Sequence, residues 1–346
     1  MHADVFDSFG SGAHMASFLG RRFLFFIPTF LAISLITFVL MKSVPGGPWD
    51  RDPQSKQVDP RTVKLLELQY GLNKPAWRQF VAYIIGDFDD EGAFKCGAVC
   101  GNLGPSYRQR GKTVQEILFS PPEGKTFLDS KFGYTLRLGA IAFGFAVLIG
   151  IPLGVLAALR QNSLFDYVVT FFTNIGSAVP GFVACFFAII VFAVTLKLTN
   201  VTQDWSRAGI SAFLLPGVMF GLNMMSVFAR YMRTTVLEVM AQDYVRTARA
   251  KGARESAVIW RHILRNALIP VITILGPALA GLLTGSIVIE QIFGVPGVGV
   301  DFVRAIGQRD YSLIMGTTLF YFMLVILGNL SVDILYGIVD PRIRVE

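Results

Sequence analysis

The sequence predicts an all-α integral membrane protein with six transmembrane helices, and three observations carry that prediction. Of 346 residues, 53% are hydrophobic and only 16% charged, with a mean hydropathy of +0.54. A soluble domain carries roughly 25% charged residues, so most of this surface is solvated by something other than water. Six uncharged runs reach about the 20 residues that cross a hydrocarbon core: 23–41, 138–159, 167–196, 208–229, 266–289 and 311–332. Basic residues sort to one side of those runs, which fixes an orientation.

The first run follows Arg21 and Arg22, as a secretory signal would. Its 19 uncharged residues exceed a signal's apolar region, and Lys42 leads into Pro45-Gly-Gly-Pro48 rather than a cleavage site. We read 23–41 as a retained anchor and 1–22 as a cytoplasmic tail, with the residues before Met15 unstructured or an upstream start. Residues 42–137 form a small helical insertion outside the membrane. Asp59-Pro60 can cap and open a helix that stops at Gly71, and Pro75 another that stops at Gly86. A third, at 113–118, ends at Ser120-Pro-Pro. Asp89-Asp-Glu91 and then Cys96 and Cys100 lie between them. Such an insertion caps the mouth of a pore, receives an extracytoplasmic partner, or simply packs on the spans. Residues 138–346 make the core, with five spans and a cytoplasmic loop at 230–265.

With the N-terminus inside, cytoplasmic segments hold Arg21, Arg22, Arg160, the group from Arg230 to Arg265, Arg342 and Arg344. Short outer loops hold only Lys197, Arg207, Arg304 and Arg309. Both termini are then cytoplasmic, and the sequence pI near 9.4 reports topology. A nucleic-acid surface would interleave stacking aromatics with the charge, and the 230–265 loop does not.

Two features imitate chemistry. Gly104 through Gly111-Lys-Thr113 resembles a phosphate loop, but six residues separate the glycines where that pattern has four, and no apolar strand precedes it. Cys96 and Cys100 supply two thiols with none of His2, His14 or His262 nearby, too few for a tetrahedral zinc shell. In an oxidising compartment they read as a disulfide. The uncharged runs hold no ionisable residue, which excludes an ion-coupled carrier and an intramembrane protease. The chain reads as no enzyme, binds no cofactor, and takes its energy from elsewhere.

The spans carry prolines at 28, 152, 180, 216, 270 and 277, which membrane helices tolerate where neighbours satisfy freed carbonyls. Pro180-Gly181 can break the third. Gly150-x-x-x-Gly154 and Gly281-x-x-x-Gly285 offer small faces for helix contact. Asn223 is an interhelical hydrogen-bond donor or a residue of a substrate pathway.

The loop is the most telling segment. Met232, Val236, Met240, Tyr244 and Ala248 recur every fourth residue, a stripe along a continuation of the fourth span. Asp243 can cap a new turn and Gly252 can end it in a left-handed conformation. A second helix from Glu255 presents Ala257, Trp260 and Leu264 on one face. Two readings fit: an amphipathic hairpin lying on lipid, or a rigid knob inserted into a partner's groove.

A resemblance decides between them. Residues 244–270 resemble the EAA loop of the inner-membrane permeases of binding-protein-dependent ABC importers, in the peptide/nickel group related to the oligopeptide and dipeptide permease B subunits. Arg21-Arg-Phe with Val44-Pro-Gly, Gly101-Asn-Leu-Gly-Pro-Ser-Tyr107, Ile292-Phe-Gly-Val-Pro-Gly-Val-Gly299 and Tyr336-Gly-Ile-Val-Asp-Pro-Arg agree. One departure is plain: the family's Glu-Ala-Ala is Arg246-Thr-Ala248 here, which removes any role of that glutamate. The resemblance implies a type I importer fold and a permease subunit forming half of a pathway for peptides. It implies a homologous second permease, two cytoplasmic ATPases that hold ATP and Mg, and an extracytoplasmic substrate-binding protein. Tyr244, Arg246, Ala248, Arg249, Lys251 and Gly252 would couple to the ATPases. Nickel chelates or other small solutes are the alternative cargo, and a six-span receptor or scaffold the alternative without transport.

Overall fold

The computed structural model describes residues 12–49, 59–88, 92–200, 204–205 and 207–339, with side chains described from 26 to 331 within those ranges, Pro60 apart. The Asp89-Asp-Glu91 run, Arg342 and Arg344 lie outside them. Helix α1 covers Gly12–Ser43. Residues 12–22, expected as a tail, are therefore helical, because a helix nucleated by an apolar run extends at one hydrogen bond per residue fixed.

In the insertion, α2 (Pro60–Gln69) starts where Asp59 accepts a bond from the Arg61 N–H at 3.2 Å, and α3 covers Ala76–Ile84. A two-stranded antiparallel hairpin follows, β1 (Gly86–Phe88) with β2 (Phe94–Cys96), Gly86 facing Cys96. This hairpin is an addition to the helices expected in the insertion. The strands are three residues each, too short to show alternation. The pairing depends on Gly86, where a Cβ would lie 2.2 Å from the Lys95 carbonyl oxygen. Helix α4 (Val114–Phe119) opens on a capping box of Thr113 and Glu116.

The spans follow with shifted ends. They are α5 (Lys131–Leu159), a bent pair α6 (Leu164–Ala178) and α7 (Gly181–Thr195), and α8 (Leu214–Met240). After α9 (Asp243–Ala250) come α10 (Glu255–Leu283), α11 (Ile287–Phe293), α12 (Val298–Gln308) and α13 (Tyr311–Val339). A π-turn at Ala146–Gly150 precedes Pro152 in α5, shifting the ladder where proline has no N–H to give. The fifth run does not stay helical to 289. It stops after Leu283 at Gly285, φ +81°, a left-handed stop that an uncharged run cannot reveal.

Pro180 breaks the third span as expected, at 107°. Asp166 meets Arg233, Gly176 approaches Ser226, Ser177 meets Asn223, and Ile189 packs in the cluster of Phe213. That series runs antiparallel to α8 from end to end, so the bent pair makes one crossing. Six spans result.

Of the two small-residue faces, one is a helix contact. A Cβ on Gly150 would lie 2.6 Å from the Met225 oxygen, and one on Gly154 2.3 Å from the Ala229 oxygen. Gly281 meets nothing within 4 Å, so the second face packs on no helix there. Large apolar side chains point outward, Leu148 at 72% and Phe172 at 64% exposure. In water such faces would aggregate; in a bilayer they meet lipid tails.

The chain forms two compact units. Among the described residues, one gathers those from Gly12 to Gly111 with Gln308–Phe322; the other holds Lys112–Gly307 and α13 from Met323. In the first, Phe38 and Met41 of α1 pack with Tyr311 and Met315, flanked by Phe80 and Tyr83 of α3.

Candidate functional site

The 230–265 loop continues the fourth span as far as Met240 and then folds as a hairpin. Helix α8 ends at Met240, Gln242 is extended, and α9 restarts at Asp243. Asp243 is thus the first helical residue and not the cap, with its charge at the positive helix end. The restart rotates the inward face. Met232 and Val236 are fully buried, but Val245 and not Tyr244 is the next buried side chain.

Helix α9 stops as the sequence places it. Gly252 takes φ +75°, its N–H donates to the Arg249 carbonyl at 3.0 Å, and the Ala253 N–H donates to the Ala248 carbonyl at 3.2 Å. This is a Schellman stop, which satisfies the last carbonyls. The second arm departs from expectation, because Val258–Leu264 is π-helical. The wider turn advances the buried face to Val258, Ile263 and Leu264, and leaves Trp260 72% exposed.

Both arms close on one apolar cluster, in which Ala158 of α5, Met232, Val236, Val245, Val258, Ile263 and Ala267 are all fully buried. Two polar links tie the arms. Arg249 reaches across the glycine turn to Glu255 with bonds of 2.7 and 3.2 Å, which hold its proton more firmly than usual. Asn266 donates to the Tyr244 hydroxyl at 3.0 Å. Arg246 pairs with exposed Asp243 at 3.7 Å. Of the six candidates, Tyr244, Arg246, Arg249 and Lys251 face outward and Gly252 makes the turn. Ala248 is half-buried against the chain's own cluster, so the outer face of the hairpin belongs to its neighbours.

A cavity of about 430 Å³ opens at the break of the third span, lined by Gly181, Phe182, Asn223, Pro277, Gly281 and Val288 among others. Asn223 lines this space and donates to the Ser177 carbonyl at 3.4 Å.

Two buried charged arrangements outside the cavity lining escaped the sequence reading. Arg233 grips the nearly buried Asp166 with two bonds, 2.6 and 2.8 Å, tying α6 to α8. Asp166 sits three residues after Ser163 and reads as an N-terminal helix residue; nothing local signals a partner 67 positions away. Glu290 of α11 is fully buried. The Thr135 hydroxyl donates to one carboxylate oxygen at 2.8 Å and the Val300 N–H to the other at 3.1 Å. The Val298 N–H in turn donates to Thr135 at 2.9 Å. Burial raises the Glu290 carboxyl to about 7, with Asp301 adding to the effect. The signal that was available is the glycine density around it. Cβ atoms on Gly285, Gly297 and Gly299 would come within 2.6, 2.4 and 2.9 Å of this side chain.

In the other unit, Cys96 and Cys100 are joined by a disulfide across a single 3-10 turn, Cα atoms 5.9 Å apart. A bond of 2.5 Å from Lys74 holds the nearby Asp87 below the usual carboxylate range. The segment Gly101–Tyr107 wraps onto buried Asp310, whose carboxylate accepts from the Ser106 hydroxyl and from the N–H groups of Tyr107, Arg108 and Leu313. That motif is structural. Among the described residues no three His, Cys, Asp or Glu side chains converge as metal ligands would.

Residues 150–345 match the family described as binding-protein-dependent transport system inner membrane component, and residues 15–125 match its N-terminal counterpart. The chain is 36% identical to the "oligopeptide transport system permease protein OppB" of Haemophilus influenzae, over 95% of this chain and 100% of that one. It is 38% identical to the "dipeptide transport system permease protein DppB" of Bacillus subtilis, over 96% of this chain and 99% of that one. A third, the "oligopeptide transport system permease protein AppB" of Bacillus subtilis, is 38% identical over 95% and 100%.

Proposed function

Because this chain belongs to the binding-protein-dependent transport system inner membrane components, we propose that it forms half of the membrane pathway of an ATP-driven importer of peptides. It is a transport subunit, and hydrolysis is the work of separate ATPases. The observation that carries the peptide reading is end-to-end similarity to peptide permeases of two organisms, without large gaps at either end. A homologous second permease completes the pathway, two cytoplasmic ATPases hold ATP and Mg, and an extracytoplasmic binding protein delivers the peptide.

In this reading the termini and the hairpin are cytoplasmic, as the basic residues indicate. The exposed face of the hairpin, with Tyr244, Arg246, Arg249 and Lys251, seats on the ATPase. Motion enters through the apolar cluster, which the hairpin shares with α5, α8 and α10. Asp166 and Arg233 carry it from α8 to the broken span. The cavity beside Asn223 is the segment of the pathway where peptide passes; its apolar walls suit a cargo whose side chains vary.

The test is to purify the chain from its native membrane with whatever binds it, reconstitute the complex, and mass-analyse ligand released from the binding protein. Peptides in that fraction, and ATP-dependent uptake of a labelled peptide, are expected. Recovery of nickel chelates or another solute alone would replace the peptide reading, and a chain that brings down no ATPase would favour a receptor or scaffold.

A further inference from the structure

We propose that Glu290 is a positioning residue for transport: its carboxylate staples α11 in place as a wall of the cavity at the broken span. The proposal rests on the transport reading above, and three observations point to it.

First, α11 is a wall. Ser286, Val288 and Ile289 line the cavity, while Glu290 points the other way into the protein. Second, α11 is a short helix with a glycine turn at each end. Gly285 and Gly294 bracket it with φ of +81° and +67°, so the chain turns sharply on both sides of a helix of seven residues. A helix that short has little stability of its own. Third, beside the apolar packing of Ile289 and Phe293, the buried carboxylate is what hydrogen-bonds α11 to other elements among the described residues. Thr135 of α5 and the Val300 N–H at the start of α12 both donate to it, and Thr135 also takes the Val298 N–H. One side chain therefore joins α11, the 294–300 turn and the second span.

The surroundings are shaped for this group. Gly285, Gly297 and Gly299 press on the carboxylate so closely that a methyl on any of them would collide with it. The polar partners are also all or none. An apolar residue at 290 would leave the Val300 N–H and the Thr135 hydroxyl buried without that acceptor, whereas an amide could still accept from Val300 and donate to Thr135. Leucine and glutamine thus separate a polar staple from mere filling of space. Asp301 faces the same region and is engaged by Lys131 at 3.4 Å and Arg304 at 3.7 Å, so it does not supply a substitute anchor.

The experiment uses the full chain in its complex, with a reporter cysteine at Val288 (Val288→Cys) probed by a membrane-impermeant thiol reagent added from outside. Glu290→Leu and Thr135→Val are expected to speed that labelling at least fivefold and to lower uptake at least tenfold. Glu290→Gln and Thr135→Ser, which keep the hydrogen bonds, are expected to stay within twofold of the parent in both. Copurifying ATPase should be unchanged throughout, because the hairpin is elsewhere. Labelling and uptake of Glu290→Leu within twofold of the parent would overturn the proposal. So would failure of both Glu290→Leu and Thr135→Val to assemble, since the group would then serve folding alone. If the parent complex takes up no peptide at all, the peptide reading fails, and the labelling contrast still decides the role of Glu290.

Discussion

The hairpin at 243–264 and the turn at 284–301 belong to the same compact unit and combine packing and hydrogen bonding in different proportions. The hairpin rests on apolar packing: Val245, Val258 and Ile263 are fully buried in a cluster it shares with the spans. Each such side chain contributes roughly 1.5–3 kcal/mol, without directional demands. The turn shares in such packing, with Ile289, Phe293 and Val295 buried in the cluster of Tyr134 and Phe213, and adds hydrogen bonds to one caged carboxylate. Packing tolerates small shifts and transmits load, since a close-packed interior resists compression. A hydrogen-bonded staple is either made or lost. The comparison teaches that the hairpin is fixed by packing with few directional demands, whereas the turn adds a staple that is specific to one side chain.

The largest test of the difference is Gly297→Val. Its Cβ would lie 2.4 Å from the Glu290 carboxyl carbon and 2.5 Å from the Thr135 hydroxyl, so those two side chains must move and their hydrogen bond with them. Overpacking of about 1–3 kcal/mol adds to about 1–3 kcal/mol for displaced polar groups. We expect a thermal midpoint lowered by many degrees and uptake lost, with ATPase copurification retained. A midpoint close to the parent's would show that the cage is not tight and would remove the contrast.

Next comes pH. The folded Glu290 carboxyl is raised from an ordinary 4.5 to about 7 by burial, with Asp301 adding to it. Between those values the unfolded chain has lost its proton while the folded chain keeps it, so stability falls as pH rises from about 4.5 through about 7, then levels. At 1.36 kcal/mol per unit the whole change is about 3 kcal/mol. Midpoints measured from pH 4.5 to 8.5 should show that decline in the parent and lose most of it in Glu290→Gln. Equal profiles for the two chains would mean the carboxylate is not buried as described.

The two regions also differ in how far the sequence disclosed them. The hairpin announced itself because its determinants are local: a four-residue period, a glycine at the helix end, charges on the outside. Even so, the restart at Asp243 exchanged Tyr244 for Val245 as the buried residue, and the π-helical arm turned Trp260 outward. Neither phase change leaves a mark in residue spacing. The turn stayed hidden because its partner lies 155 positions away in α5. A glutamate just past an uncharged run reads as the start of a loop, and only the glycines at 285, 294, 297 and 299 hinted at close quarters. The same holds for Asp166 with Arg233. Spans were legible to within a turn or two at most ends, since apolar length is set by the bilayer.

A smaller effect is expected at Gly252. A Cβ there meets nothing within 4 Å, so a substitution costs backbone strain and no packing. Holding a non-glycine residue at φ +75° costs about 1–2 kcal/mol, most for Gly252→Val and least for Gly252→Asn. Hydrogen exchange should quicken in 243–254 in that order, and ATPase retention should weaken with it, while 284–301 stays protected. Loosening of both segments together would mean they are one cooperative piece.

The smallest effect on stability should come from the bridge of Arg249 to Glu255, and it separates holding the hairpin from using it. The two side chains are 38% and 56% exposed, so solvent and salt screen their attraction. The Schellman stop and the apolar cluster fix the turn without them. Glu255→Gln should therefore leave the thermal midpoint where it was, and Arg249→Gln likewise. Their effects on coupling should differ. Glu255→Gln frees the guanidinium and keeps its charge on the outer face, so ATPase retention should hold. Arg249→Gln removes a charge from the face proposed to meet the ATPase, so retention and peptide-stimulated hydrolysis should fall at unchanged stability, and fall less as ionic strength rises and screens the contact. Equal loss of midpoint in both variants would place the bridge among the forces that hold the hairpin, and the contrast with the turn at 284–301 would then narrow.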